Sequence, residues 1–230
     1  LPISTQQCGR RRDRSCGTPR AIQTVATADV IARRSILLAI ALAGGLLAAT
    51  GVGLYGCGAL DDSESAPLPL ATVDMDRMWG GWYLIATIPN SFEKGMVAPY
   101  DVYSQRPDGD IREDFYVRSG SFKSPLDHYV VHDWIRPGSN NAHWRVRIFW
   151  PIDLPFLVLY TDPDYRYVMF GERNRKLGWI FARTRTIPDA DYRALLERFR
   201  GLGYDPGAFL KFVQLPDQIG QPGVWSDGIE

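Results

Sequence analysis

Three histidines, three cysteines and the serines and acids around them are the side chains from which acid–base, nucleophilic or metal chemistry would be built. His128 and His132 stand four apart in a β-prone run, so they share a face but sit about 13 Å from each other, too far to hold one metal ion. His143 falls in another run and no cysteine is available to it. Asp133 beside His132 leaves a Ser-His-Asp set open on composition, but no Gly-x-Ser-x-Gly elbow presents a nucleophile. The histidines therefore read as surface or loop residues. No catalytic residue, metal ligand or cofactor is assigned, and the chain is not expected to be an enzyme. Cys8 and Cys16, eight apart with no histidine nearby, are not a zinc pair.

The third cysteine has a more specific setting. From Ile36 to Leu60 no residue is charged, and Arg33 and Arg34 stand immediately before the run. A positive flank, an apolar stretch and small residues make a secretory signal. The run leads into Leu54-Tyr55-Gly56-Cys57, which resembles a bacterial lipobox: an aliphatic residue three before, and a small residue just before, a cysteine that is lipidated after cleavage. The same apolar run is long enough to span a bilayer uncleaved, and ordinary cleavage with release is a third outcome. If Cys57 is acylated by several chains, anchoring is firm. Gly58 in place of Asp fits sorting to the outer membrane, facing the periplasm, with the inner membrane as the alternative.

These elements divide the chain into a basic unassigned extension (1–32), a signal peptide ending at Cys57 (33–57), a flexible tether (58–70), a folded domain (71–216) and a tail (217–230). Charge follows the same division. The 26 basic and 26 acidic residues cancel, yet seven Arg against two Asp precede Cys57, leaving +5 there and −5 in the remainder. A basic leader on a mildly acidic domain is the reverse of a nucleic-acid binder's footprint. Every cysteine lies at or before Cys57, so the domain has none with which to form a disulfide and must be held by burial.

Between Gly80 and Thr184 the sequence is a succession of β-prone runs: 82–88, 98–105, 111–117, 128–135, 144–150, 155–161, 165–171 and 177–184. Pro107-Asp108-Gly109-Asp110, Pro137-Gly138-Ser139-Asn140-Asn141 and Asp162-Pro163-Asp164 mark hairpin connections. The alternation Trp82, Leu84, Ala86, Ile88 and Trp144, Val146, Ile148, Trp150 places one apolar face inward, with Arg145 and Arg147 toward solvent. Tyr192, Leu195, Leu196, Phe199 and Leu202 are spaced for one face of a helix opened by Pro188-Asp189 and closed near Gly201, and a short edge strand follows at Phe209–Gln214. Glu172-Arg173-Asn174-Arg175-Lys176 reads as a solvated hairpin tip. The expectation is an all-β fold, an eight-stranded antiparallel up-and-down barrel with one C-terminal helix packed outside.

Three motifs in register with these elements resemble the lipocalins (calycins), most closely the bacterial outer-membrane lipoprotein lipocalins and apolipoprotein D. Gly80-Gly81-Trp82-Tyr83 matches the family's Gly-x-Trp signature, Thr161-Asp162-Pro163-Asp164-Tyr165 stands where Thr-Asp-Tyr is expected, and Trp179-Ile180-Phe181-Ala182-Arg183-Thr184 looks like the third motif. The resemblance spans roughly Met75 to Leu215. It implies that Gly80, Trp82, Asp162, Tyr165 and Arg183 are structural, Arg183 lying across the Trp82 indole.

An eight-stranded barrel with apolar inward faces can hold one small greasy ligand. Leu84, Ala86, Trp134, Trp144 and Val146, with Ile148, Phe156, Tyr167 and Met169, are the expected wall. The resemblance implies a carrier or store of a fatty acid such as palmitate, or of a lysophospholipid, tethered through Cys57, and a homodimer is compatible with it. Two other readings stand beside it: an enzyme acting on a lipophilic substrate, which would need polar groups converging inside the pocket, and a structural envelope lipoprotein with a filled core.

Overall fold

The computed structural model describes residues 67–149 and 152–230, which lie in one compact unit, Leu60–Glu230. The leader, Cys57 and most of the expected tether lie outside the described residues, as do Trp150 and Pro151. Among the described residues no helix is long and apolar enough to cross a membrane.

A one-turn helix α1 (Met75–Met78) precedes eight strands: β1 (Gly80–Thr87), β2 (Met96–Gln105), β3 (Ile111–Ser119), β4 (Asp127–Ile135), β5 (His143–Phe149), β6 (Ile152–Thr161), β7 (Tyr167–Gly171) and β8 (Gly178–Ala182). Each strand pairs antiparallel with the next, and β8 returns to β1, which closes the barrel. Helix α2 (Asp189–Gly201) follows, then β9 (Leu210–Phe212) and β10 (Val224–Trp225). β9 pairs with the end of β1, and β10 pairs parallel to β9, so the segment expected as a tail carries the last strand. The expected tether ends earlier than residue 70, because Leu68 is buried and the Ala71 amide donates to the Val158 carbonyl.

Closure leaves two separate cores. Inside the barrel, Trp82, Leu84, Trp144, Phe170 and Phe181 pack on one another. Outside it, the apolar stripe of α2, with Leu195 and Phe199 buried, covers Ile85, Ala86, Met169 and Ile180. The helix is oriented by simple electrostatics, with Asp189 and Asp191 in its first turn and Arg198 and Arg200 in its last. Arg175 from the β7–β8 hairpin donates to the Leu202 carbonyl at the helix end, so that tip is fastened to the helix rather than simply solvated.

The barrel floor is where the three sequence motifs meet. The Arg183 guanidinium lies 3.7 Å from the Trp82 ring centroid and donates to the carbonyls of Gly81 (2.8 Å) and Arg77 (2.6 Å). Trp82 donates its indole N–H to Met78 at 2.8 Å, which draws α1 over the floor. Gly80 adopts φ +93°, a conformation L side chains rarely take, as β1 leaves α1. Asp162, buried in the β6–β7 turn, accepts from the Arg166 and Tyr167 amides and from the Arg166 side chain. The turn presents Tyr165 in left-handed backbone, its hydroxyl accepting from the Asp74 amide at 2.7 Å.

Candidate functional site

Register fixes which side chains share the interior. Trp82 pairs with Asp101, Asp101 with Phe115, Tyr103 with Glu113, Glu113 with Val131 and Asp133 with both Ile111 and Val146. Opposed residues of an antiparallel pair point the same way, so one acidic residue from each of β2, β3 and β4 faces inward among apolar neighbours.

Above the packed floor lies a cavity of about 210 Å³. Its apolar side comes from Leu84 of β1, Val146 of β5, Phe156 of β6 and Trp179 and Phe181 of β8. The opposite side carries Asp101 and Tyr103 of β2, Glu113 and Phe115 of β3 and Val131 of β4. Phe92, Glu93 and Met96, from the β1–β2 connection and the start of β2, complete the lining, and Phe92, 69% exposed, places that end of the cavity at the surface.

Of the nine wall residues expected from the sequence, Leu84, Val146 and Phe156 line this cavity. Trp144 faces inward but is packed below it, edge-on to Tyr103 and with its indole N–H on the Asn141 carbonyl. Four others are on the outer face, which corrects the expected orientation. A bulge between Leu84 and Ala86 reverses the parity of β1, so Ala86 pairs with Ile180 under α2 while Thr87 turns inward. Met169 and Tyr167 belong to the same outer core, Tyr167 donating its hydroxyl to Asp191 of the helix at 2.6 Å. Trp134 pairs with Arg145, outside, and stacks beneath Arg147. For Ile148 the backbone alone is described.

The histidines are also outside. His128 stacks on Tyr116 and pairs with Asp114, and His132 pairs with Asp110. His143 opposes Leu157, a member of the outer core. Asp108, Asp110 and His132 gather their ligand atoms within 4.8 Å of one another on the surface, where Asp108 is engaged by Arg106.

The polar groups that do converge inside are the acids, which sequence reasoning missed. Asp101 is only 4% exposed; its Oδ2 accepts from the Tyr103 hydroxyl at 3.1 Å and its Oδ1 has no partner among the described residues. Asp133 is fully buried, and neither carboxyl oxygen has a well-formed hydrogen bond there. Burial pushes the Asp101 carboxyl well above the ordinary carboxylate range, and Glu113 adds to it. Glu113 is raised likewise by burial and by Asp133, and Asp133 by burial with Asp101 as neighbour. Glu93 differs: burial raises it, but it accepts from Trp179 Nε1 (2.7 Å), Thr87 Oγ1 (2.9 Å) and Asn90 Nδ2 (2.7 Å), which fastens the β1–β2 connection across the seam to β8. The missed signal was the alternation itself: Ile111, Glu113, Phe115, Val117 and Val131, Asp133, Ile135 place acids in step with apolar residues.

Comparison with known proteins agrees with this architecture. The family described as a lipocalin-like domain matches residues 73–214. The temperature-induced lipocalin-1 of Arabidopsis thaliana is 29% identical over 170 residues, covering 66% of this chain and 89% of that protein. The outer membrane lipoprotein Blc of Vibrio cholerae is 25% identical over 166 residues (70% and 92%), and that of Escherichia coli 27% over 146 residues (62% and 80%). Among solved structures, insecticyanin from the tobacco hornworm Manduca sexta superposes with a TM-score of 0.51 at 17% identity, covering 64% of this chain and 84% of that one, a likeness of fold.

Proposed function

This chain belongs to the lipocalin-like family, and on that premise we propose that it is an envelope-tethered carrier that binds one small hydrophobic ligand inside the barrel. The observation that carries the reading is the cavity: apolar side chains from β1, β5, β6 and β8 bound it, and it reaches the surface at Phe92. The ligand is a single-chain lipid, a fatty acid or a lysophospholipid. A fatty acid enters tail-first, because its carboxylate keeps its hydration at the mouth while the chain is buried against the apolar side. No chemistry on the ligand is required.

The tether is Cys57, lipidated after signal cleavage and anchored in the outer membrane with the barrel facing the periplasm. Support comes from the lipobox-like Leu54-Tyr55-Gly56-Cys57 and from similarity to proteins named outer membrane lipoprotein. Exposed Leu126 and Val130 offer a surface for a homodimer, which sedimentation would register. Purified protein should release bound lipid to native mass spectrometry and take up palmitate with quenching of Trp179; neither occurring would remove the carrier reading. Cys57→Ser should move the protein from the membrane to the soluble fraction, and retention at the membrane would point to an uncleaved anchor.

A further inference from the structure

The cavity's lining is electrically one-sided. Among the described residues it contains Glu93, Asp101 and Glu113 and no lysine, arginine or histidine, and Asp133 stands behind Glu113 on the next strand. Glu93 is saturated by three donors, whereas among the described residues Asp101 Oδ1 is buried without a partner and Asp133 has only the neighbouring Glu113 carboxyl to share a proton with. An unsatisfied buried carboxyl costs stability, and a well-packed apolar residue of similar volume would be neutral or better. Such groups make physical sense where something else supplies the missing donors and the missing charge.

We propose that the β2–β4 side of the cavity is a cation subsite, which takes the ammonium head of a lipophilic amine. The inference rests on the carrier reading and adds a further class of ligand for the same cavity. The ammonium donates N–H bonds to Asp101 Oδ1 and to the Glu113 carboxyl, while the hydrocarbon lies against Val146, Phe156 and Phe181. Charge-assisted hydrogen bonds to carboxylates out of water are the strong kind, and the neighbouring aromatic faces favour a cation as well. The polar groups facing the head are Glu93, Asp101, Tyr103 and Glu113, with Asp133 behind Glu113 on the next strand. Burial raises the affinity of these acids for protons. A cation bound among them lowers it again, so binding is expected to release protons to the buffer.

The test compares three probes of equal chain length, dodecylammonium, dodecanol and dodecanoate, by calorimetry near neutral pH on the full protein. The ammonium should bind at least about tenfold more tightly than the alcohol, and its apparent enthalpy should change with the ionisation enthalpy of the buffer, reporting released protons. In Asp101→Asn/Glu113→Gln, which keeps shape and removes charge, dodecanol binding should persist while the ammonium's advantage disappears. Ammonium binding no tighter than dodecanol, or an advantage unchanged in the variant, overturns the subsite while leaving the carrier intact. If none of the three binds, the carrier reading falls with it.

Discussion

Arg183 covers the Trp82 indole at 3.7 Å while the same indole holds Met78, so one stacked pair ties the last barrel strand, the first strand and the capping turn together. The contact joins residues that are 101 apart in sequence, and the guanidinium also occupies two carbonyls that α1 and β1 would otherwise leave open.

Arg183→Ala should therefore lower stability by about 2–4 kcal/mol, from the lost cation–π contact and the charge-assisted bonds to Gly81 and Arg77. Arg183→Lys should recover less than half of this, because an ammonium cannot lie flat on the ring and reach both carbonyls. Urea denaturation measures both; equal stability of Lys and Arg variants would show that charge alone suffices.

The interior acids set an unusual pH profile. Glu93, Asp101, Glu113 and Asp133 are all raised by burial, so each favours folding when protonated. That stabilisation is whole below the ordinary carboxyl range near pH ~4 and is lost as pH rises through the raised folded values. Surface Asp108, Asp114 and Asp189 are lowered by their Arg, His and Lys partners or by turn hydrogen bonds, and act in the opposite sense only at more acidic pH. The urea-unfolding free energy should fall by on the order of 1–3 kcal/mol between about pH 5 and pH 8, and Asp101→Asn/Glu113→Gln should flatten the slope. A free energy that rises over that range would contradict the assignment.

Val146→Trp places a large ring in the cavity from the β5 side. Uptake of palmitate should weaken by at least about tenfold while the thermal midpoint stays near that of the parent, since the ring fills space already present. Unchanged uptake, read by Trp179 quenching or native mass spectrometry, would place the ligand elsewhere.

Gln214, fully buried beyond β9, donates from one amide nitrogen to Leu84 at 2.8 Å and Pro99 at 2.9 Å, the carbonyls beside the irregular points of β1 and β2. Gln214→Leu should cost about 1–3 kcal/mol by leaving those acceptors dry, with faster amide exchange at Ala86 and Ala98 as its local signature.

Much of the barrel was readable because its strands alternate and its turns carry Gly, Pro, Asn and Asp. The helix expected from Pro188-Asp189 to Gly201 is the helix observed, and the edge strand after Phe209 is there as β9. The inward list failed where period two is broken or absent. One extra residue after Leu84 turned Ala86 outward, and β7 is buried on both faces, so no alternation in Tyr167–Gly171 distinguishes the barrel interior from the space under α2. The acids escaped notice for the opposite reason. Solvent is the expected surrounding of Asp101, Glu113 and Asp133, and register, which sequence does not print, is what put them inside.

The two cores also make the barrel wall unequal. Strands β7 and β8 are clad on both sides, whereas β4 has solvent on its outer face at His128 and Val130. Breathing concentrates where a wall is one layer thick. The buried acids Asp101, Glu113 and Asp133 hang on β2 to β4, so protons and water should reach them by brief opening of β3 and β4 while the seam at β8 stays shut. Deuterium should thus invade the β3–β4 amides well before those of β7 and β8, making one side of the barrel a proton door and the other its fixed jamb.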